Sequence, residues 1–208
     1  MLCTLSGTLF LYQGQEIGMT NVPISWPISE YKDVSSQNWY NAVKRTKNGC
    51  PRALECAKAV LQYLGRDHAR LPMQWDASPN AGFSAAEPWM RVHDDYPAVN
   101  VAAQEQDRES VLAFWKTMVR LRKAHGELFI HGEFRTLDAE NPDTFVYTKT
   151  YGTKKAVVLL NFTEELQPNL MLGEHDSAGV IVVGSSREVS RLNLAPFEGR
   201  VYILSAEC

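Results

Sequence analysis

The chain has no run of about 18 apolar residues, so no segment of it reads as a membrane-spanning helix. Its first basic residue is Lys32. The apolar opening, Met1 to Tyr12, therefore lacks the basic start of a secretory signal and reads as the end of a helix followed by a buried strand. Positive charge is not in excess: 21 Lys and Arg stand against 24 Asp and Glu, a net charge of -3, which leaves no basic footprint for a nucleic-acid partner. Cysteine is scarce. Cys3, Cys50, Cys56 and Cys208 form no C-x-x-C pair, and their scatter fits no disulfide framework, so reduced thiols and a cytoplasmic setting are expected. His68, His93, His125, His131 and His175 lack metal-site spacing, so neither a metal nor another cofactor is expected. No internal repeat and no low-complexity tail is visible.

What remains is ordinary globular composition: 208 residues, 45% hydrophobic and 22% charged, enough for one domain or one and a half. Thr8 to Tyr12 is a short apolar run between two glycines, the pattern of a fully buried strand of a parallel sheet. Gln13, Gln15 and Glu16 follow at once. In a barrel of alternating strands and helices, ligands bind at that end of a strand. Residues 20–101 form a long irregular stretch rich in Pro, Trp and Asn, with two helices expected inside it. One runs from Ser35 to Lys47 and stops at Gly49. The other runs from Arg52 to Leu64, after Pro51 and before Gly65, with Leu54, Ala57, Leu61 and Leu64 on its apolar face.

A longer helix is predicted from Gln104 to His125. Val111, Leu112, Trp115, Met118 and Val119 fall on one stripe, acidic residues open it and basic residues close it, in the order the helix dipole favours. From Gly132 onward the character changes to short strands: Phe145 to Tyr147, Ala156 to Phe162, Gly179 to Val183 and Val201 to Leu204. A hairpin turn at Tyr151-Gly152-Thr153-Lys154 joins the first two. Strands at this spacing predict a small antiparallel sandwich. The aromatics there, including Phe134, Tyr147, Tyr151, Phe162, Phe197 and Tyr202, read as core. Asn161-Phe162-Thr163 fits the glycosylation pattern but lies in an apolar strand, so it reads as a chance match.

Three blocks carry a resemblance to a known family. They are Gly7-Thr8-Leu9-Phe10-Leu11-Tyr12-Gln13-Gly14-Gln15-Glu16-Ile17-Gly18-Met19, the run Arg66-Asp67-His68-Ala69-Arg70-Leu71-Pro72-Met73-Gln74-Trp75-Asp76, and Asn80-Ala81-Gly82-Phe83-Ser84 with Pro88-Trp89. Together, in this order, they resemble the α-glucosidases of glycoside hydrolase family 13, on the maltase and isomaltase side. Leu9 stands where the family usually has Pro, and Leu71 where it usually has Thr.

The resemblance implies a fold of class α/β plus all-β. It would be the C-terminal fragment of a β/α barrel (last strand, helical excursion over 20–101, last helix) followed by an antiparallel β-sandwich. The corresponding domains are residues 1–126 and 127–208.

The implied activity is retaining hydrolysis of terminal α-linked glucose from maltose- or isomaltose-type oligosaccharides, which requires two carboxyl groups flanking the scissile bond. In the family both precede the last barrel strand, so no catalytic residue is expected here, and the chain alone is expected to be inactive. His93-Asp94-Asp95 looks like part of the family's Asn-His-Asp motif, but it lies after the Arg run and is not taken as catalytic. The same holds for Glu16, which is read as a residue of structure or site rim.

The substrate-binding candidates are Arg66 and Arg70. The resemblance gives Arg66 a sugar contact, for which a planar fork of donors is suited. Arg70, four residues on, is expected to share its face and to form a structural ion pair with Asp67 or Asp76. Met73, Gln74 and Trp75 read as packing residues. Trp39 and Tyr40 fall where the family shapes a neighbouring subsite or lie in the core. The implied partners are an oligosaccharide and, as a separate chain, the remaining part of the barrel. The alternative reading is a non-catalytic sugar-binding or assembly protein derived from the same fold, which would need an exposed aromatic platform.

Overall fold

The computed structural model describes residues 1–168, 180–184 and 193–205. Their contacts group into two compact units, one holding Met1–Phe10 with the residues from Phe114 on, the other Leu11–Ala113. This grouping follows packing, whereas a division at 126 follows membership of the expected barrel. His175 and Cys208 lie outside the described residues, as does Gly179 of the third expected strand. The other three cysteines are free thiols.

The unit from Leu11 to Ala113 is built on helices α1 (Val34–Thr46) and α2 (Pro51–Leu64). Asp33 caps α1, its carboxylate accepting from the Ser35 amide at 3.2 Å. Pro51 opens α2, where its missing N–H costs nothing, and the Gly65 amide closes it on Leu61 O. Ala57 and Leu61 are the buried residues of α2. Leu61 packs with Val22, Trp26, Tyr31, Leu71 and Met90 in one apolar cluster. This explains Leu71: its side chain sits among aromatic and aliphatic neighbours, where a leucine buries more apolar surface than a threonine would.

The helix expected from Gln104 to His125 is two helices, α3 (Val101–Gln106) and α4 (Val111–Ala124). Polar side chains break it. Asp107 Oδ1 accepts from the Glu109 amide, and Ser110 Oγ accepts from the Ala113 amide, which makes Ser110 the start of a new helix.

Thr8 to Tyr12 is not a strand. The segment has no ladder partner among the described residues, and Phe10 is 82% exposed. A buried parallel strand exists only through neighbours on both sides, and the described residues supply none here.

The other unit is a five-stranded antiparallel sheet of order β1-β2-β3-β7-β5. Its strands are β1 (Glu133–Leu137), β2 (Thr144–Tyr151), β3 (Lys154–Asn161), β5 (Val180–Gly184) and β7 (Gly199–Ser205). A two-residue ribbon pairs β4 (Gln167–Pro168) with β6 (Asn193–Leu194). The hairpin between β2 and β3 lies where the sequence places it. Tyr151 pairs with Lys154, and Gly152 takes φ +57°, which a two-residue turn demands.

Alternation sorts the sheet's side chains. Tyr147, Ala156, Val158, Leu160 and Val201 pack against Met118, Leu121, Leu128 and Phe129 of α4 and the helical turn after it. Val146, Val157, Leu159, Tyr202 and Leu204 cluster with Leu194. The aromatics read as core divide. Tyr147 and Tyr202 are buried, whereas Phe134, Tyr151, Phe162 and Phe197 are exposed, because they lie at an edge strand, a turn or outside the ladders. Asn161 is buried with its Nδ2 donating to Glu165 O and Ala195 O, so its glycosylation match is structural coincidence.

The leading segment is fastened to this unit by polar groups. Thr4 Oγ1 and Tyr147 Oη share a hydrogen bond of 2.6 Å, and Lys149 Nζ donates to Ser6 Oγ at 2.5 Å. Burial pushes the Tyr147 phenol up to about 12. The unfolded phenol ionises near its ordinary value of about 10, so this contribution to stability is complete below pH ~10 and lost as pH rises toward ~12. Across that window a phenol raised this far costs the folded state about 2–3 kcal/mol. Burial, and Arg122 nearby, lower Lys149; that group acts in the opposite sense, favouring folding as pH rises toward its ordinary value. Urea titrations between pH 9 and 12 are expected to show a loss above pH ~10 that Tyr147→Phe reduces, with Tyr31, also raised by burial, supplying part of what is left. An unchanged alkaline slope in the variant would assign the loss elsewhere.

Candidate functional site

The Arg66 run begins with a single 3-10 segment, Arg66–Arg70, directly after α2. Its tightness brings both arginines onto one carboxylate, that of Asp33 at the start of α1. Arg66 Nε donates to Asp33 Oδ2 at 2.9 Å and Nη2 to Oδ1 at 2.7 Å, a bidentate fork, and Nη2 also reaches Ser35 Oγ at 3.0 Å. Arg70 Nη1 lies 3.7 Å from Asp33 Oδ1.

The ion pair expected between Arg70 and Asp67 or Asp76 is therefore made with Asp33 instead. Asp67 is buried and committed to backbone, accepting from the Lys32 and Asp33 amides at 2.7 and 2.9 Å. Asp76 is held by the amide and hydroxyl of Ser78. The hydrogen bond from Arg66 holds the Asp33 carboxyl below the usual carboxylate range. Asp33 is buried while Arg66 is 62% exposed in its side chain, so one face of the guanidinium system is anchored and the rest is open to solvent. Such a cluster carries two cations on one anion. It can orient hydroxyl or carboxylate groups, but it has no second free carboxylate for acid–base work.

Asp33 does not stand out in the sequence as a site residue. The only signal for it there is the Asp-Val-Ser-Ser capping pattern ahead of α1.

The His93-Asp94-Asp95 triplet and Gln74 are held in internal hydrogen bonds. His93 is buried between Thr20 Oγ1 and Asp95 Oδ1, the latter at 2.6 Å. Asp94 accepts from the Trp26 indole at 2.8 Å and from Arg91 at 2.6 Å, and the indole hydrogen bond heads the causes that hold its carboxyl low. The His93-Asp94-Asp95 triplet thus ties loops together. Met73 and Gln74 are buried, with Gln74 Nε2 donating to Asp95 Oδ1 and Val99 O. Trp75 differs from its reading as a packing residue. Its amide and that of Asp76 bond to Ala81 O, while its ring is 50% exposed. Tyr40 packs against the apolar cluster around Trp26, and Trp39 is 39% exposed on α1. Glu16 Oε2 is buried without a hydrogen-bond partner among the described residues. No group of three metal-ligating side chains forms among the described residues.

Comparison with known proteins completes the picture. Residues 1–132 match the alpha amylase catalytic domain. Over 210 residues the chain is 41% identical to an alpha-glucosidase of Candida albicans, an alignment covering 97% of this chain and 36% of that protein. It is 36% identical over 212 residues to an oligo-1,6-glucosidase of Saccharomyces cerevisiae, covering 98% of this chain and 36% of the relative. Among solved structures, the trehalose-6-phosphate hydrolase of Bacillus licheniformis superposes with a TM-score of 0.86 at 28% identity, covering 98% of this chain and 37% of that one. The chain therefore spans little more than a third of the length of the relatives it matches. With its Arg run built as one anchored cluster and a domain match reaching from Met1 to Gly132, this chain belongs to the alpha-amylase family, glycoside hydrolase family 13.

Proposed function

We propose that this chain is the C-terminal part of a cytoplasmic, retaining α-glucosidase that removes terminal α-linked glucose from maltose- or isomaltose-type oligosaccharides. The observation that carries this reading is 41% identity to an alpha-glucosidase across nearly the whole chain. In this reading residues 1–126 complete a β/α barrel, and residues 127–208 form its β-sandwich domain. Thr8 to Tyr12 becomes a strand when the preceding barrel strands flank it. Arg66 contacts the sugar at the cleavage point through the guanidinium edge that Asp33 leaves open, and Arg70 holds Asp33 in place. The two catalytic carboxylates come from the rest of the protein, so the chain alone does not hydrolyse glucosides. A net charge of -3 supports the absence of a nucleic-acid partner.

The test is reconstitution. The isolated chain is expected to leave a chromogenic α-glucoside untouched. Joined to, or mixed with, the N-terminal two-thirds of the Candida albicans relative, it is expected to give glucosidase activity. In the reconstituted enzyme Arg66→Ala is expected to lower kcat/KM by about tenfold to a hundredfold, the worth of a hydrogen bond from a charged donor. Hydrolysis by the isolated chain would refute the placement of the carboxylates. A folded but inactive reconstituted protein would refute the glucosidase reading.

A further inference from the structure

Successive residues of the Arg66 run reach different parts of their unit. Arg66 takes the Asp33 carboxylate and Asp67 the Lys32 and Asp33 amides, so both tie the 3-10 segment to one dipeptide ahead of α1. Two ties to one dipeptide leave the segment free to turn about it. His68 ties it elsewhere. The Val22 amide donates to His68 Nδ1 at 3.1 Å, and His68 Nε2 lies 2.9 Å from Leu61 O, in the last turn of α2. We propose that His68 is a positioning residue for Arg66, and that it acts as a neutral imidazole with its proton on Nε2.

The two partners impose that tautomer. A backbone amide only donates, so Nδ1 has to be a bare acceptor. A carbonyl only accepts, so Nε2 has to carry the hydrogen. The other tautomer sets N–H against N–H and lone pair against lone pair, and a doubly protonated ring also loses the Val22 bond. Val22 is 1% exposed and Leu61 5%, so water does not replace what is lost. These contacts lie inside the unit and depend on no open surface.

The end of α2 is shaped to admit the ring. Leu61 O already accepts from the Gly65 amide at 2.8 Å, the bond that closes the helix, and takes the imidazole as its second donor. Gly65 has an ordinary φ of -68°, so backbone conformation does not call for glycine there. Space does: a Cβ at this position would stand 2.7 Å from Leu61 O and 3.4 Å from His68 Nε2. Val22 and Leu61 pack together with Leu71, which directly follows the segment, so the ring bridges two walls of one apolar cluster. Tyr12 Oη also holds the segment through Ala69 O at 2.6 Å, but that bond is exposed and competes with water. The functional worth of a fixed Arg66 rests on the glucosidase reading. The coupling of His68 to Arg66 does not, and the two are tested apart.

Tautomer and coupling are read on the full chain by NMR, without substrate, after circular dichroism establishes that parent and variants are folded. With the ring neutral, the imidazole nitrogen shifts are expected to show a protonated Nε2 and a bare Nδ1. His68→Leu is expected to speed exchange of the Val22 amide and of the Arg66 Nε–H by about tenfold or more, while amides in the middle of α1 keep their protection. His68→Asn, whose Oδ1 can take the place of Nδ1, is expected to restore much of both. Should His68→Leu not fold, His68→Gln carries the same test, since its amide lies near the Nε2 position and leaves Val22 without its acceptor. In the reconstituted enzyme His68→Leu is then expected to lower kcat/KM by about tenfold or more, and His68→Asn to recover it. A reconstituted parent without activity would count against the glucosidase reading and leave the NMR result standing. The proposal is overturned by a ring with its proton on Nδ1, by Arg66 Nε–H exchange in His68→Leu that matches the parent, or by an equal loss of protection throughout α1. Unchanged kcat/KM of His68→Leu in an active reconstituted enzyme overturns it as well.

Discussion

Replacing Glu198 by glutamine is expected to destabilise the sheet unit by about 3–5 kcal/mol, the cost of leaving a buried cation without its counter-charge. Glu198 is 2% exposed and Arg200 fully buried. Arg200 Nε donates to Glu198 Oε1 at 2.5 Å and Nη2 to Oε2 at 2.8 Å, a second bidentate pair. Oε2 also accepts from the Ala195 amide at 2.7 Å, and Arg200 Nη2 reaches Asn193 O at 2.6 Å. The pair thus fixes the turn before β7 to the ribbon strand β6. Domains of this size are held by about 5–15 kcal/mol, so the variant would lose much of its margin. The measurement is the urea midpoint at constant slope. Replacing both residues by methionine is expected to cost less than Glu198→Gln alone, since no charge is then stranded. A single variant within about 1 kcal/mol of the parent would show that the pair contributes little.

Arg122→Met is the second large effect, expected at about 2–4 kcal/mol from three charge-assisted hydrogen bonds whose acceptors would be left without a donor. Arg122 Nη1 donates to Cys3 O at 2.9 Å and Leu5 O at 2.7 Å, and Nη2 to Gly7 O at 2.6 Å. One guanidinium on α4 therefore gathers the backbone of the leading segment. The loss is offset in part, because removing Arg122 relieves its repulsion of Lys149. Hydrogen exchange distinguishes this role from general packing: amides of residues 2–7 should lose protection before those of β3. Arg122→Lys keeps the charge but not the fork and should recover only part of the protection. Uniform loss of protection across the sheet would instead make Arg122 a packing residue.

Both residues illustrate what patterns along the chain conceal. Arg122 is one of the basic residues that close the predicted helix in the order its dipole favours, and it proves to be buried against carbonyls 115 to 119 positions away. The amphipathic period locates a helix here but does not tell which polar residue faces inward. Arg66 is legible as a site candidate through its motif, whereas its anchor Asp33 is not, because the two are 33 residues apart and meet only when α1 and α2 pack.

The sequence by itself determined α1, α2, the turn at Gly152, most of the strands and the family, since each rests on a local signal: a cap, a proline or glycine stop, a period, a motif. Only the tertiary structure decided the rest. It broke the late helix at Asp107 to Ser110, left Thr8 to Tyr12 unpaired, placed both arginines on Asp33 and turned Trp89 outward. The physical reason is common to all four. Side-chain competition for backbone groups, ladder pairing, ion-pair choice and burial are settled by which groups are near in space. A partner distant in sequence contributes nothing to the pattern that announces a helix or a strand.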